Sequence, residues 1–478
     1  MPISNIRKIR LRELEAIKKA GFNSYPIKTK RTHCVEEALV NFEKFSRAKT
    51  KLVLAGRITS IREHGGSTFL HFEDGTGRFQ AYFKRDKLGE KNYKFFLDNF
   101  DIGDFIEVSG VLFKTKMGEK TINVSDFKIL AKSLLPLPEK WHGLKDIEER
   151  FRKRYLDLIM NPEVKEKFKL RSKIIKELRN ILDDRGFWGV ETPILQPIPG
   201  GALARPFKTH LNALKLNLYL RVSPELYLKR LLVGGFEKVY EIGRCFRNEG
   251  MDKHHNPDFT MLELYWAYQD KEGMIKFVEE FLKDLLNEIK GTLEIFYQGQ
   301  KINFKPPFKK IVFKELIKKY CQIDIEKAKI EDLQKKLKEF GIKFKKSASK
   351  TELYDHLFKK VCQPKIVQPT FVVSHPIEMA ILAKASENPK YADRFQLIAG
   401  GIELINGFSE LNDPVEQEKR FKKAKVEPER KDEDFLEALQ YGMPPAAGLG
   451  LGVDRLVALL TDSHSLREVI LFLTMKPR

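Results

Sequence analysis

The sequence predicts an α+β protein in two parts, a small five-stranded β-barrel near the N-terminus and a larger domain of mixed strands and helices. Between residues 51 and 130, five short apolar segments are separated by Gly and Asp turn signals, as in EDGTG at 73–77, which is the pattern of short barrel strands. From Asn161 to the C-terminus, helical and strand patterns alternate. The length of 478 residues is enough for two or three domains, each with its own core.

The barrel strands are predicted at 51–59, 67–74, 77–83, 104–113 and 120–130, with a helix near 91–98. This arrangement is typical of an OB-type barrel, which binds single-stranded nucleic acid through aromatic side chains and a basic groove. Phe69 and Phe72 must face opposite sides of a regular strand, so at most one of them stacks on a base and the other lies in the core. We assign residues 51–135 to this domain and residues 1–50 to a basic helical extension.

The larger domain is predicted from 161 to 478, after a charged linker with two nearby prolines at 136–160. Its first helix begins at Asn161-Pro162 and ends near Gly186, because apolar residues recur at helical spacing between a proline suited to a first turn and a glycine suited to an end. A lysine-rich stretch at about 308–365 carries helical patterns such as IEDLQKKLKEF. We interpret this stretch as a solvated helical insertion.

The composition excludes a disordered polycation and a membrane-spanning protein. The chain has 87 lysines and arginines against 66 aspartates and glutamates, a formal net charge of +21, and 42% of its residues are hydrophobic. No stretch approaches the roughly 18 uncharged apolar residues of a membrane span. The positive excess favours a polyanionic partner, since neutralising phosphates releases counterions; lysine-rich solvated surfaces would give the same charge.

The N-terminus and the cysteines both indicate a reduced, cytoplasmic protein. The segment MPISNIRKIRLREL is basic but lacks the apolar region and cleavage site of a secretory signal. The four cysteines are scattered without CxxC spacing, which excludes a disulfide framework and a four-cysteine zinc site.

The pattern of segment 239–267 predicts two strands joined by a loop rich in turn formers. Alternation places Met261, Glu263 and Tyr265 on one face of the second strand, so a carboxylate and a phenol point together. On the first strand, Gly243 and Arg247 share a face, and the glycine would let a ligand approach the backbone closely.

The segment GGIELINGFSELNDP at 400–414 brings further polar groups to one face. Alternation along the strand places Asn406, Phe408 and Glu410 on the same face. Glu403 falls on the opposite parity, so it reaches the same face only through a β-bulge, and Gly407 is one place to look for it. A glutamate at a solvated strand edge is the alternative interpretation.

These segments resemble the class II aminoacyl-tRNA synthetases. FRNEG (246–250) and HNPDFT (255–260) are similar to motif 2 in the form typical of the lysyl-tRNA synthetase family, of the bacterial type. GFWGVETPILQP (186–197) resembles motif 1 and GLGLGVDRLVALLTDSHSLREVILF (448–472) resembles motif 3, and three ordered motifs in one chain are not accidental. The resemblance implies a catalytic core of antiparallel sheet flanked by helices, with the barrel as an anticodon-binding domain. It also implies a homodimer that uses ATP, Mg²⁺, L-lysine and tRNA(Lys), with Pro193 at the dimer interface.

The resemblance also implies residue roles. Arg247 and Arg455 would be the catalytic cations, and the ATP-binding set would be Arg247, Glu249, His255, Phe259, Glu403 and Arg455. The lysine-binding set would be Gly201, Glu225, Arg247, Glu263, Tyr265, Asn406, Phe408 and Glu410. Glu403, and with it Glu410, would be metal ligands, whereas Gln396 stands where related synthetases carry an acidic ligand. The anticodon would contact Arg57, Phe69, Gln80 and Asp126.

The residue types agree with lysine as the substrate. An ammonium leaving water costs several kcal/mol unless it is paired, so its pocket needs carboxylate and hydroxyl acceptors. Glu263, Tyr265 and Glu410 are of that kind, whereas an aspartate pocket would need positive charge. Attack of the lysine carboxylate on the α-phosphorus of ATP needs no general base, because the carboxylate is already ionised.

Two other functions stay open. Gln396 would fit a catalytically silent tRNA-binding protein on the same fold, against which the presence of Arg247, Arg455, Glu403 and Glu410 counts. A paralogue that attaches lysine-like groups to a protein is the other, and those relatives lack the barrel.

Overall fold

The computed structural model describes residues 3–138, 146–202, 204–253, 255–423 and 432–477. The chain divides into two compact units, Met1–Asp146 and Ile147–Arg478. Each unit is described by itself.

The first unit is built on a closed five-stranded barrel with the strand order β1-β2-β3-β5-β4, in which β3 and β5 are parallel and the other pairs antiparallel. Its elements are α1 (Ile3–Lys19), α2 (Val35–Val40), α3 (Phe42–Arg47), β1 (Lys51–His64), β2 (Ser67–Glu73), β3 (Arg78–Lys84), α4 (Arg85–Leu88), α5 (Glu90–Asn99), β4 (Phe105–Lys114) and β5 (Lys120–Ala131). The predicted five strands and the helix between the third and fourth are confirmed.

The N-terminal helices share the core of the barrel. Ile17, Val35 and Phe42 are buried together with inward-facing strand residues such as Leu70 and Phe72. In addition, the Arg10 guanidinium donates to the carbonyls of Ser133, Leu135 and Ile102 at 2.9–3.0 Å. Residues 3–50 therefore belong to the same folded unit as the strands.

The second unit is organised by an eight-stranded sheet with the order β14-β15-β16-β17-β18-β11-β10-β6. The six central strands are antiparallel, and β14 and β6 pair in parallel at the two edges. The strands of the unit are β6 (Trp188–Gly189), β7 (Leu195–Gln196), β8 (Lys208–Leu211), β9 (Leu216–Leu220), β10 (Lys238–Phe246), β11 (Asp258–Ala267), β12 (Glu294–Tyr297), β13 (Gln300–Asn303), β14 (Lys309–Val312), β15 (Thr370–Val373), β16 (Arg394–Ala399), β17 (Ile402–Ser409) and β18 (Ala446–Gly452). The antiparallel core expected from the resemblance is confirmed.

Helices cover the sheet. They are α6 (Ile147–Arg152), α7 (Arg154–Met160), α8 (Pro162–Asp184), α9 (Glu225–Val233), α10 (Lys271–Lys290), α11 (Phe313–Cys321), α12 (Ile330–Glu339), α13 (Lys350–Leu357), α14 (Pro414–Lys423), α15 (Glu433–Gln440) and α16 (Val453–Leu460). α8, α10 and α16 pack on one face, where Leu262 and Leu264 of β11 join the main core. The polar side chains of the same strands therefore face the opposite side of the sheet.

Two segments differ from their sequence interpretation. Residues 147–160, placed in the linker, form α6 and α7, which contact each other and α8; residues 139–145 of that linker lie outside the described residues. The 308–365 stretch contains the edge strand β14 as well as helices, and it has its own core around Phe313, Leu333 and Leu353. It is a folded subdomain and not only a solvated surface.

No helix in the described part of the chain is long and apolar enough to cross a membrane. All four cysteines are free, and the sulfur atoms of Cys321 and Cys362 lie 3.8 Å apart.

Candidate active site

Two connected cavities lie on the polar face of the large sheet. The smaller has a volume of about 110 Å³ and the larger of about 490 Å³. Their shared walls contain Gly201, Ala202, Glu225, Arg247, Asn406 and Phe408, and the smaller is completed by residues that include Glu263 and Tyr265. Most of the residues predicted for lysine binding therefore meet in one place.

Every second residue of β11 lines one side of the smaller cavity, which is called its floor below. Met261, Glu263 and Tyr265 line it, as predicted, whereas Leu262 and Leu264 lie in the core. The Glu263 carboxylate accepts hydrogen bonds from Ser223 Oγ at 2.7 Å and from Tyr265 Oη at 3.2 Å. Ser223 was missed by the sequence reasoning, because its contact with β11 comes from a distant loop.

Glycines of β18 keep this floor open. Gly448 lies opposite Tyr265 and Gly450 opposite Glu263 in the antiparallel pair. A Cβ atom on Gly448 would lie 2.4 Å from the Tyr265 ring and 2.6 Å from Glu410 Oε1. The absence of a side chain at Gly448 is therefore required for these two groups to lie where they do.

A buried ion-pair cluster lies behind the cavity wall. Lys229 Nζ on α9 lies 2.7 Å from Glu225 Oε1 and 2.5 Å from Glu410 Oε2. The side chains of Lys229 and Glu410 are both 0% exposed. Sequence reasoning missed Lys229, although the spacing of four residues from Glu225 on a helix was the available signal.

Burial controls the protonation of this cluster. Burial, reinforced by the neighbouring Glu225, raises the pKa of Glu263 to about 7. Burial also raises the pKa of Glu410, against the opposing effect of Lys229, and raises that of the Tyr265 phenol well above its usual value. Burial alone would lower the pKa of Lys229, but the Glu225 and Glu410 carboxylates outweigh it and raise that pKa. We therefore take Lys229 as charged.

The Arg247 guanidinium is available to a ligand. It lies over the Phe259 ring with its central carbon 5.0 Å from the ring centroid, and its buried Nε has no hydrogen-bond partner within the described part of the chain. Buried donors are normally paired, so this atom is suited to an oxyanion. The predicted role of Gly243 is wrong: a Cβ there would lie 2.2 Å from the Arg221 guanidinium, so a protein side chain occupies the space assigned to a ligand.

Glu403 reaches the polar face through a β-bulge, as its parity required. The register between β16 and β17 shifts between the pairs Leu397–Ile405 and Ile398–Glu403, so Leu404 is the extra residue, and Leu404 and Ile405 both enter the core. The suggested position at Gly407 is wrong. There a Cβ would lie 2.6 Å from the Phe395 ring, so that glycine serves close packing.

Gln396 is fully engaged in a hydrogen-bond chain. Its Nε2 donates to Glu403 Oε2 at 2.9 Å, and its Oε1 lies 2.8 Å from His375 Nε2. Burial lowers the pKa of His375 well below its usual value, so the ring is neutral and Nε2–H donates to Gln396. The flipped amide would set its oxygen against the Glu403 carboxylate. Gln396 therefore presents a donor, not an oxygen ligand, to Glu403.

Arg394, two residues before Gln396 on β16, orients Asn406. Arg394 Nε donates to Asn406 Oδ1 at 2.7 Å. Since the amide oxygen is taken, the Asn406 NH₂ group is the end left for a ligand. Sequence reasoning did not single out Arg394.

The predicted nucleotide residues are less closely grouped. Glu249 lines the larger cavity, and Arg455 donates to the Glu403 carbonyl oxygen at 3.1 Å. His255 is exposed and pairs with Asp252 at 2.9 Å. Phe259 packs beneath Arg247.

Of the two carboxylates predicted as metal ligands, one has surroundings that fit a metal ion. Within the described residues there is no group of three His, Cys, Asp or Glu side chains able to hold a metal ion. Glu410 is not suited to be a ligand, because its buried carboxylate is paired with Lys229. Glu403 alone fits Mg²⁺, which commonly binds one or two carboxylates together with substrate phosphates and water.

The predicted anticodon residues lie on four strands of the barrel, Arg57 on β1, Phe69 on β2, Gln80 on β3 and Asp126 on β5. Phe69 faces outward and contacts Tyr82, with ring centroids 4.8 Å apart, whereas Phe72 is buried. The Gln80 amide is also buried, bonded to Thr121 Oγ1 at 2.7 Å and Glu119 at 2.5 Å. Arg57 donates to the Gly103 carbonyl at 3.0 Å, and Asp126 is exposed on β5.

Pro193 is exposed beside the edge strand β6. Three apolar neighbours of Pro193 are also exposed: Trp188 by 67%, Ile194 by 44% and Leu195 by 46%.

The chain is similar to known proteins along its whole length. The family model "tRNA synthetases class II (D, K and N)" matches residues 146–476, and "OB-fold nucleic acid binding domain" matches residues 52–130. The chain is 49% identical to the lysine–tRNA ligase of Carboxydothermus hydrogenoformans over 100% of the chain and 99% of the relative. It is 47% identical to that of Syntrophomonas wolfei over 100% and 98%, and 49% identical to that of Pelotomaculum thermopropionicum over 100% and 96%. With a carboxylate-rich pocket on the antiparallel sheet and full-length similarity of this degree, the chain belongs to the lysine–tRNA ligase family of the class II tRNA synthetases.

Proposed function

We propose that the chain activates L-lysine with ATP to lysyl-adenylate and pyrophosphate, and then transfers lysine to the 3′-terminal adenosine of tRNA(Lys). The observation that carries this proposal is the pocket where Glu263 and Tyr265 meet Glu225 and Arg247. Carboxylates and a phenol form an acceptor site for an ammonium group, and the neighbouring guanidinium suits a carboxylate or phosphate.

In this proposal lysine lies along the smaller cavity. Glu263, Tyr265 and Glu410 take the side-chain ammonium, and Glu225 with the Gly201 backbone takes the α-ammonium. Arg247 and the Asn406 NH₂ group bind the α-carboxylate, with the Phe408 ring packing along the cavity. Gly201 lines both cavities, so its backbone can contact the ligand, and its φ of +85° favours a glycine at this position.

In this proposal ATP binds next to lysine, starting from Arg247 and Glu249 in the wall of the larger cavity. Arg247 bridges its α-phosphate and the lysine carboxylate, so that two anions are held against each other for in-line attack. Arg455 and His255 bind the outer phosphates, Glu249 accepts from the adenine amine and Phe259 stacks on the base. No proton is removed in this step, so positioning and charge stabilisation supply the catalysis.

Glu403 would hold Mg²⁺ between ATP phosphates, and the ion would supply charge neutralisation on the phosphates. The Gln396 amide keeps the Glu403 carboxylate oriented by donating to Oε2. Because Gln396 brings no charge, we expect a second Mg²⁺ to bind weakly or not at all.

The barrel would bind the anticodon, with Phe69 stacking on a uridine and Arg57, Gln80 and Asp126 adding contacts. For Gln80 to read a base, Glu119 must release its amide.

Exposed Trp188, Ile194 and Leu195 at the sheet edge beside Pro193 support a homodimer through this surface, since exposed apolar patches mark interaction sites. With ATP and tRNA as its substrates, we expect the protein to act in the cytoplasm.

The test is ATP–pyrophosphate exchange with each of the twenty amino acids, followed by aminoacylation of tRNA(Lys). We expect exchange with lysine alone. Phe69→Ala should leave exchange unchanged and lower the kcat/KM for tRNA about tenfold, since stacking contributes about 1–3 kcal/mol per base. Absence of exchange with any amino acid, with tRNA binding retained, would overturn the proposal in favour of a silent RNA-binding protein.

A second experiment tests Gln396. Gln396→Glu places a carboxylate beside Glu403, so we expect exchange to saturate at a Mg²⁺ concentration about tenfold lower. Mn²⁺ binding followed by electron paramagnetic resonance, in the presence of ATP, should show more bound ions than in the parent chain. Equal metal stoichiometry in both proteins would contradict the prediction.

A further inference from the structure

Lys229 is a lysine that lies wholly inside the protein, between two carboxylates of the substrate pocket. Its ammonium lies 2.7 Å from Glu225 Oε1 and 2.5 Å from Glu410 Oε2. The two partners come from different elements, the first turn of α9 and the residue after β17. Lys229 therefore links the first turn of α9 to the end of β17 through its two ion pairs.

Aromatic rings close the space around this ammonium. Its nitrogen lies 5.8 Å from the ring centroid of Tyr265, 5.3 Å from that of Phe408 and 5.9 Å from that of Phe435. An ammonium in this position has no contact with water and is attracted to the ring faces. Its place is thus determined by the two carboxylates and the rings.

Carboxylates outnumber ammonium groups in the cluster around Lys229. Glu225, Glu263 and Glu410 are three carboxylates, and Lys229 supplies one ammonium, which leaves an excess of two negative charges when all are ionised. Lysine brings two ammonium groups, and its carboxylate is taken by Arg247. An amino acid with a single ammonium would leave one buried carboxylate unpaired, which is costly.

Three charged groups on or beside elements packed against α9 have partners of their own. Asp432, before α15, pairs with Arg230 at 2.6 Å, and Glu241 on β10 pairs with Arg221. Glu263 on β11 accepts from Ser223 and Tyr265. Within the described residues, Lys229 is therefore the cation that faces Glu225 and Glu410.

We propose that Lys229 is a positioning residue that determines the specificity of the pocket for α-amino acids carrying a second ammonium group. Its ammonium holds one oxygen of Glu225 and one of Glu410, and leaves the other oxygen of each for the substrate's α- and side-chain ammonium groups. It also opposes the effect of burial on Glu410 and so favours the carboxylate form of that side chain. This inference rests on the proposed assignment of lysine to the smaller cavity.

The experiment compares Lys229→Met with the parent chain by calorimetric titration with lysine, norleucine and ATP. Norleucine has the same carbon chain as lysine but no side-chain ammonium. Without Lys229 the Glu410 carboxyl holds its proton more firmly and loses its preference for an ammonium. We expect the ratio of lysine to norleucine affinity to fall about tenfold or more, with the ATP Kd unchanged.

Two matched variants distinguish an effect on the position of the pocket carboxylates from a general loss of protein stability. Arg230→Met removes an ion pair from the adjacent position of α9, and Lys132→Met removes a fully buried lysine that pairs with Glu13, Asp101 and Asp104 in the barrel unit. Both should lower the unfolding temperature and leave the affinity ratio unchanged. An unchanged ratio in Lys229→Met would reduce Lys229 to a structural role and overturn the proposal.

A double-mutant cycle covers the case in which Lys229→Met fails to fold. Lys229→Met combined with Glu410→Gln removes both members of this pair and leaves Glu225 as the one carboxylate of the cluster that has lost its cation. The double variant should show the same affinity ratio as Glu410→Gln alone, since Lys229 acts on the side-chain ammonium through Glu410; additive losses would contradict the proposal. Failure of the parent chain to bind lysine would instead refute the assignment of the substrate.

Discussion

At the residue scale, the pocket depends on carboxylates that water does not reach. A carboxylate that loses its hydration favours the protonated form unless a cation replaces the water. In the empty site Lys229 compensates part of this cost for Glu225 and Glu410, and Glu263 has only hydroxyl donors. Glu263 is therefore the acid whose protonation a bound ammonium changes most directly.

Lysine binding should depend on pH around neutrality. With the pKa of Glu263 raised to about 7 by burial, the empty site holds a proton below that pH, and binding of an ammonium favours its release. Because burial also raises the pKa of Glu410 to about 8, the lysine Kd should decrease as pH rises from 6 to about 8 and level off above, by at most about tenfold per pH unit for each of the two carboxyls. Calorimetry in two buffers of different ionisation heat should show proton release near pH 7. A lysine Kd independent of pH, or proton release with norleucine equal to that with lysine, would contradict this prediction.

Gly448→Ala should close the pocket. The new Cβ would lie 2.4 Å from the Tyr265 ring, which the sheet holds in place, and overpacking of this kind costs about 1–3 kcal/mol. We expect the KM for lysine in pyrophosphate exchange to rise about tenfold. Gly450→Ala is the matched control on the same strand, because its Cβ would meet chiefly the flexible Met261 Cε at 2.9 Å. Equal effects of the two substitutions would show that space at Gly448 is not what matters.

At the element scale, alternation along strands predicts which face a side chain takes, and it did so correctly for β11 and for Phe69 against Phe72. It also predicts that Glu403 needs a bulge. Alternation does not locate that bulge, because an extra residue at Leu404 or at Gly407 fits the local pattern. Pairing with the neighbouring strand β16 determines which residue is extra. The space at Gly407 is filled by Phe395, so the extra residue is Leu404.

The helix α7 should contribute much of the stability of the second unit. Arg154 is buried, pairs with Asp157 at 2.5 Å and donates to the Leu471 and Arg467 carbonyls at 3.1 and 3.0 Å. Arg154→Met leaves these acceptors without a donor, so we expect the free energy of unfolding to fall by about 2–4 kcal/mol. Urea unfolding measures this. Lys169→Met, which removes an exposed ion pair with Glu166, should cost less than about 0.5 kcal/mol, and a similar loss in both variants would refute the assigned role of α7.

At the scale of the whole molecule, the net charge of +21 should govern the encounter with tRNA. Lysines and arginines that neutralise phosphates release counterions, so affinity falls steeply as salt rises. We expect the Kd for tRNA(Lys) to increase about tenfold or more between about 50 and 200 mM salt, as measured by filter binding. Pyrophosphate exchange without tRNA should change little over the same range, and a salt-independent tRNA Kd would contradict the prediction.

The sequence alone was enough to predict the five-stranded barrel, the alternation of strands and helices in the larger domain, the family and the residue types of the pocket, but not α6, α7 or the edge strand β14. The predicted features follow from local periodicity, turn chemistry and motif spacing, which need no knowledge of distant contacts. Only the tertiary structure decided that Lys229 lies between Glu225 and Glu410, that Arg221 covers Gly243, that Arg394 orients Asn406 and that Gln396 donates to Glu403. Periodicity assigns a side chain to a face, whereas hydrogen bonds between separate elements depend on how those elements pack, and that packing determines which groups of the pocket remain free for a substrate.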